Sequence, residues 1–153
     1  MSRSHLRRLE RIRIEHPVFF ITTNTAGRRR ILAKECSANI LIEEWRQAHK
    51  RHGWAIGPFV IMPDHVHFFC TPDVDSKSLS HFMLAWKQWT SKRIKRECGE
   101  AGAVWQEEFF DHVLRSEESY EEKREYILLN PVRANLTKTV EDWPWQGEIE
   151  ALL

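Results

Sequence analysis

Two β-rich runs parted only by a turn constrain this chain most. Residues 54–62 (WAIGPFVIM) and 66–71 (VHFFCT) flank Pro63 and Asp64, a turn-forming pair, so the two runs are expected to close as a hairpin. Pro58 cannot donate to a ladder, which points to an edge position or a bulge within the first run. Helical periodicity lies on both sides. Residues 33–52 repeat apolar positions at Ile40, Leu41, Trp45 and Ala48 before Gly53, and residues 79–97 do so with Phe82, Leu84, Trp86 and Trp89. A strand is expected at 18–23 (VFFITT) and another within 109–115. Ser116 or Ser119 can cap a third helix that Pro131 halts near Leu129.

The order β-α-β-β-α-β-α predicts an α+β fold of the ferredoxin-like, split β-α-β kind, with an antiparallel sheet and an extra C-terminal helix. Helices would cover one face of that sheet, leaving the other for a substrate or the last helix. A length of 153 residues with 42% hydrophobic composition suits one domain. The expected plan is a single domain over 1–153, with residues 1–16 a basic arm and 146–153 a tail.

No apolar run reaches bilayer-spanning length and the N-terminus lacks a secretory apolar stretch, so a cytoplasmic protein without membrane contact is expected. Cys36, Cys70 and Cys98 are odd in number and far apart, and are read as reduced thiols. The formal charge of +1 is unevenly spread: residues 1–30 hold eight Lys or Arg against two acids, and residues 117–153 hold four against nine. Lys87, Lys92, Arg93, Lys95 and Arg96 form a further basic run, the kind of charge that attracts a phosphate backbone or simply makes a solvated helix face.

His65-Val66-His67 is the most informative tripeptide. On a strand, side chains two apart project to the same side, so the two imidazoles would converge and offer nitrogen donors to a divalent metal; a hydrogen-bonded surface pair fits the same pattern. Asp64 is placed to orient a ligand or to make the turn. Tyr126 and Asn130, four apart, would share a helix face, bringing a phenol nucleophile beside an amide oxygen that a cation accepts. Alternatively Tyr126 packs and Asn130 caps the helix, and Tyr120 is a rival nucleophile. His112 fits either an acid near the site or a structural strand position, and the second is favoured.

MPDHVHF, followed some sixty residues later by YILLNPVRANL, resembles the REP-associated tyrosine transposases, within the wider single-tyrosine class marked by His-hydrophobic-His. The likeness runs from about Val18 to Trp145 and takes in GAVWQEEFFDHVLR and EDWPW. It implies His65, His67 and Asn130 as metal ligands for Mg²⁺ or Mn²⁺, and Tyr126 as nucleophile. The implied activity is nicking and strand transfer of single-stranded or hairpin DNA through a 5′-phosphotyrosine, in a bacterial cytoplasmic protein that is nucleoid-associated when on DNA. A monomer is favoured over a homodimer. Asn135 stands where relatives carry glycine, a position asparagine tolerates because it adopts the left-handed conformation readily.

Arg28, Arg29, Arg30, Lys87, Lys92 and Arg93 are the expected phosphate contacts, with one of Trp86 and Trp89 available for base stacking. Metal binding by histidine is expected to fade as pH falls toward ~6.5. The alternatives are a non-catalytic DNA-binding module of the same fold and a metal-dependent phosphodiesterase that uses water.

Overall fold

The computed structural model describes residues 13–153, so most of the expected basic arm lies outside it. Residues 13–16 begin a strand rather than end an arm. The elements are β1 (Arg13–Asn24), a 3-10 turn (Ala26–Arg28), α1 (Glu35–His52), β2 (Trp54–Ile61), β3 (His65–Pro72) and α2 (Leu79–Cys98). Then follow β4 (Phe110–Ser116), α3 (Glu117–Leu128), the one-turn α4 (Asn130–Arg133) and β5 (Gln146–Glu148). Local chemistry explains several boundaries. Gly53 ends α1 at φ 76, a left-handed conformation that costs glycine nothing. Ser78 caps α2 and Ser116 caps α3, accepting from the backbone N–H of His81 and Ser119.

All strand neighbours are antiparallel, in the order β4-β1-β3-β2-β5. The chain therefore has a mixed α/β fold whose first four strands interleave two β-α-β units around the β2-β3 hairpin. Register then sorts the side chains. Ile21, Phe68, Ile56, Phe59, Ile61 and Val66 face α1 and α2, where Trp45 and Trp86 stack at 5.5 Å. Val18, Phe20, Val60, Met62, Phe69 and Leu114 face the other way, beneath Tyr120 and Ile127 of α3. The sheet is covered on both faces, and α3 occupies the one that sequence periodicity left open.

Two expectations are corrected and two hold in a specific form. Of the edge or bulge expected at Pro58 the structure has the bulge, a register break between Ile56 and Phe59, while β5 pairs with β2 along Pro58, Phe59 and Val60. The residues expected to form a tail supply that fifth strand, and Leu152 passes so close to Gly57 that a Cβ there would stand 2.6 Å from its Cδ1. The tyrosine helix ends at Leu128 with Leu129 its cap, the boundary expected ahead of Pro131, and Pro131 itself sits in the first turn of α4, where its missing N–H would have no intrahelical partner. Cys36 and Cys98 are not reduced thiols but a disulfide, Cα to Cα 5.9 Å, tying the start of α1 to the end of α2. Cys70 is the buried free thiol.

That disulfide closes a loop of 62 residues, for which chain entropy assigns a stabilisation of about 4 kcal/mol. Reduction, or Cys36→Ser, is therefore expected to lower the unfolding free energy by roughly that amount. Urea titration with and without dithiothreitol measures it, and coincident curves would refute the bond's contribution.

Candidate active site

β3 carries His65 and His67 on the face that α3 covers. His67 pairs with Thr22 and His65 with Asn24 across β1. The rings lie with centroids 4.8 Å apart at 77°, converging as the two-residue spacing requires. Each is held at Nδ1: His65 by Asp64 Oδ1 at 2.7 Å, His67 by Thr22 Oγ1 at 2.8 Å. When each Nδ1–H donates to its oxygen, both Nε2 lone pairs are left for another partner, the arrangement in which outer contacts fix a metal-binding imidazole. Phe20 stacks on the His67 ring at 5.4 Å and 19°, fixing its plane.

Arg28 donates from Nε to Asp64 Oδ2 at 3.0 Å, so it orients the orienter of His65. Burial opposes ionisation of Asp64, yet the hydrogen bonds from His65 and Arg28 outweigh it and hold the carboxyl below its ordinary range. Burial also depresses His65, against a weaker upward pull from Asp64. His67 is driven down to about 3 by burial first and then by the charges of His65 and Lys123. Burial thus extends the neutral form of both imidazoles to more acid values than the ordinary 6.5, because taking a proton would place a charge where water cannot solvate it.

α3 buries Tyr120 and Ile127 against the sheet, which turns Tyr126 outward, 51% exposed. Tyr120 is 3% exposed, packs on Phe69 at 4.8 Å, and burial pushes its phenol further up. Lys123, one turn before Tyr126, sets its Nζ 5.3 Å from the Tyr126 ring centroid and 5.0 Å from that of Phe20. Arg133 covers Tyr126 with its guanidinium carbon 4.3 Å from the centroid, and donates to the Tyr126 carbonyl and, at 3.4 Å, to Asn130 Oδ1. Asn130 opens α4 after a one-residue break at Leu129, and Arg133 bridges it to Tyr126. A depression of about 330 Å³ between β4 and α3 is lined by His112, Leu114, Ser119, Glu122, Lys123 and Tyr126. His112 thus stands on the rim beside Tyr126, in contrast to the structural place expected for it.

Among the described residues no group of three or more His, Cys, Asp and Glu gathers as a metal cage. The donors present are the two imidazole nitrogens left by the Nδ1 hydrogen bonds. The expected phosphate contacts divide. Lys87 is corrected: it is buried, and its ammonium donates to the carbonyls of Gln106, Glu107 and Glu108, with burial lowering it to about 8. Arg29 is bound to Glu100 and Arg93 to Glu43, Glu44 and Glu97, whereas Arg30 and Lys92 are exposed. Trp86 is core, and Trp89 is 45% exposed under the Arg51 guanidinium.

The family model described as "Transposase IS200 like" matches residues 17–129, which span β1 through the tyrosine helix. The chain belongs to the IS200-like transposase family. It is 28% identical to the REP-associated tyrosine transposase of Escherichia coli (strain K12) over 133 residues, 86% of this chain and 76% of that protein. The structure of a REP-associated tyrosine transposase bound to a REP hairpin superposes with a TM-score of 0.68 at 26% identity, covering 89% of this chain and 79% of that one. A candidate transposase from Deinococcus radiodurans, at 19% identity and a TM-score of 0.55, covering 76% of this chain and 89% of its own, bears on the fold alone. IS200-like transposases act on DNA, and a transposase-like DNA function follows for this chain from the match. No helix among the described residues is long and apolar enough to cross a membrane.

Proposed function

We propose that this chain nicks single-stranded, hairpin-bearing DNA with Tyr126 and passes the cut strand to a new end. The observation that carries the proposal is the pairing of an exposed phenol on α3 with two neutral imidazoles on the same sheet face, both open at Nε2. Tyr126 Oη attacks the scissile phosphorus in line; the Oη–P bond forms, the P–O3′ bond breaks, the phenol proton passes to solvent and the departing 3′ oxygen takes one up. The 5′-phosphotyrosine so formed keeps the energy of the phosphodiester. A second 3′-hydroxyl can therefore reverse the step and join strands without a nucleotide cofactor.

His65, His67 and, once its amide oxygen leaves Arg133, Asn130 are the residues that would hold Mg²⁺ or Mn²⁺. A bound cation supplies charge stabilisation for the phosphate oxygens. Arg28 acts through Asp64 and not on DNA, which leaves Arg30 and Lys92 as the phosphate contacts of the original set, with Trp89 as a stacking surface. α3 packs on the sheet of its own chain, which favours a monomer acting with its own tyrosine. A hairpin substrate is supported by the REP hairpin in the superposed transposase structure.

The test is incubation with 5′-labelled and 3′-labelled single-stranded hairpin DNA, with Mg²⁺, with Mn²⁺ and with EDTA, resolved on a denaturing gel. A slowed protein-linked band carrying the 3′ label, present with metal and absent with EDTA, is expected. Cutting that never yields a linked band would replace this mechanism with a water-using phosphodiesterase.

A further inference from the structure

Resting on that proposal, we infer that Lys123 is a catalytic residue, the chain's own cation for the scissile phosphate, and that the depression beside it seats the adjoining nucleotide. The position of its ammonium is the first argument. It lies 5.3 Å from the Tyr126 ring and 5.0 Å from the Phe20 ring, and Phe20 in turn stacks on His67. Lys123 therefore stands in the gap between the nucleophile and the imidazole pair. A phosphate attacked by Tyr126 and reached by the imidazole site has to enter that gap.

Charge along the helix is the second argument. α3 carries Glu117, Glu118, Glu121, Glu122 and Glu125 against Lys123 and Arg124, so most of its surface repels a polyanion. Lys123 and Arg124 are both half-buried, and of the two it is Lys123 whose ammonium lies against Phe20 and Tyr126. Arg133, its guanidinium carbon 4.3 Å from the Tyr126 ring, is the rival cation, but it is tethered to the Tyr126 carbonyl and stays so when Asn130 turns to a cation. Lys123 and Tyr126 both line the 330 Å³ depression, together with His112 and Glu122. That space suits one flanking nucleotide, its phosphate at Lys123 and its base toward His112. As phosphorus becomes five-coordinate, negative charge grows on its equatorial oxygens, and a fixed ammonium there binds the transition state more tightly than the ground state.

Lys123→Met and Lys123→Arg separate this role from packing, read as single-turnover rates of adduct formation on the phosphodiester and on a substrate with an uncharged methylphosphonate at the scissile position. Lys123→Met should lose on the order of 100-fold on the phosphodiester, with Lys123→Arg regaining most of it, while the loss shrinks to a few-fold on the methylphosphonate. Affinity for the hairpin should change by no more than a few-fold in either variant. Equal losses on both substrates, or a Lys123→Met rate within a few-fold of the parent, would overturn the assignment. Thermal unfolding guards against misfolding, and Lys123→Gln repeats the contrast if Met destabilises the helix. Absence of any adduct in the parent chain would instead sink the nicking proposal itself, and this inference with it.

Discussion

Tyr126→Phe is expected to yield no protein-DNA adduct and to drop strand cleavage by at least about a thousandfold, because the ring stays and the attacking oxygen goes. Its stability should be unchanged to about 0.5 kcal/mol, since the residue is 51% exposed and buries little. Tyr120→Phe makes the opposite prediction. That phenol is shut in against Phe69, with burial holding its proton on, so it has neither the access nor the ionisation a nucleophile needs. The variant should form adduct at close to the parental rate, with any cost appearing in stability. Mass spectrometry of the peptide carrying the DNA remnant decides between them, and a remnant on Tyr120 would refute the assignment of Tyr126.

How this geometry was legible in the sequence follows from the range of the forces involved. The hairpin at 54–72, the end of α1 at Gly53 and the cap at Ser116 are set by interactions within a few residues, and each lies where local chemistry placed it. Convergence of His65 and His67 follows from strand geometry alone. The left-handed backbone at Asn135, φ 58, is likewise local, and asparagine accommodates it.

What the sequence hid depends on partners distant along the chain. β5 is three residues long, with no alternation to announce it, and exists because β2 offers a ladder to be completed. Cys36 and Cys98 meet only because α1 and α2 pack side by side. Lys87 sits in a basic run, yet its position on the helix turns it inward to three carbonyls, whereas Lys92, five residues on, is exposed. Arg28 was legible as a cation but not as the support of Asp64, since Asp64 lies thirty-six residues away. Lys123 carried one faint local signal, its place one turn before Tyr126. Only the packing of α3 on Phe20 makes that place the gap between phenol and imidazoles.

Acid should weaken the fold before it silences the site. In the unfolded chain His67 takes a proton near its ordinary 6.5, whereas in the fold it stays neutral to about 3. Between those values the unfolded state binds the extra proton, so stability present above pH 6.5 is lost as pH falls, by about 1.4 kcal/mol per unit for this one group. His65 and His52, both also depressed chiefly by burial, add in the same direction. His49 opposes them: its hydrogen bond to Glu150 and its contacts with Asp73 raise it against a smaller burial effect, but at 44% exposure the pair is screened and its contribution small. The expectation is a loss of roughly 1.6 kcal/mol between pH 6.5 and 5 from His67, to which His65 and His52 add, before carboxylate titration enters. Urea midpoints across that window measure it, and His67→Gln should flatten the slope by about one proton's worth; an unchanged slope would mean that His67 titrates normally. Cleavage by the fraction that remains folded should persist further into acid than an ordinary imidazole pair would allow, because burial depresses both imidazoles that would hold the cation, His67 to about 3.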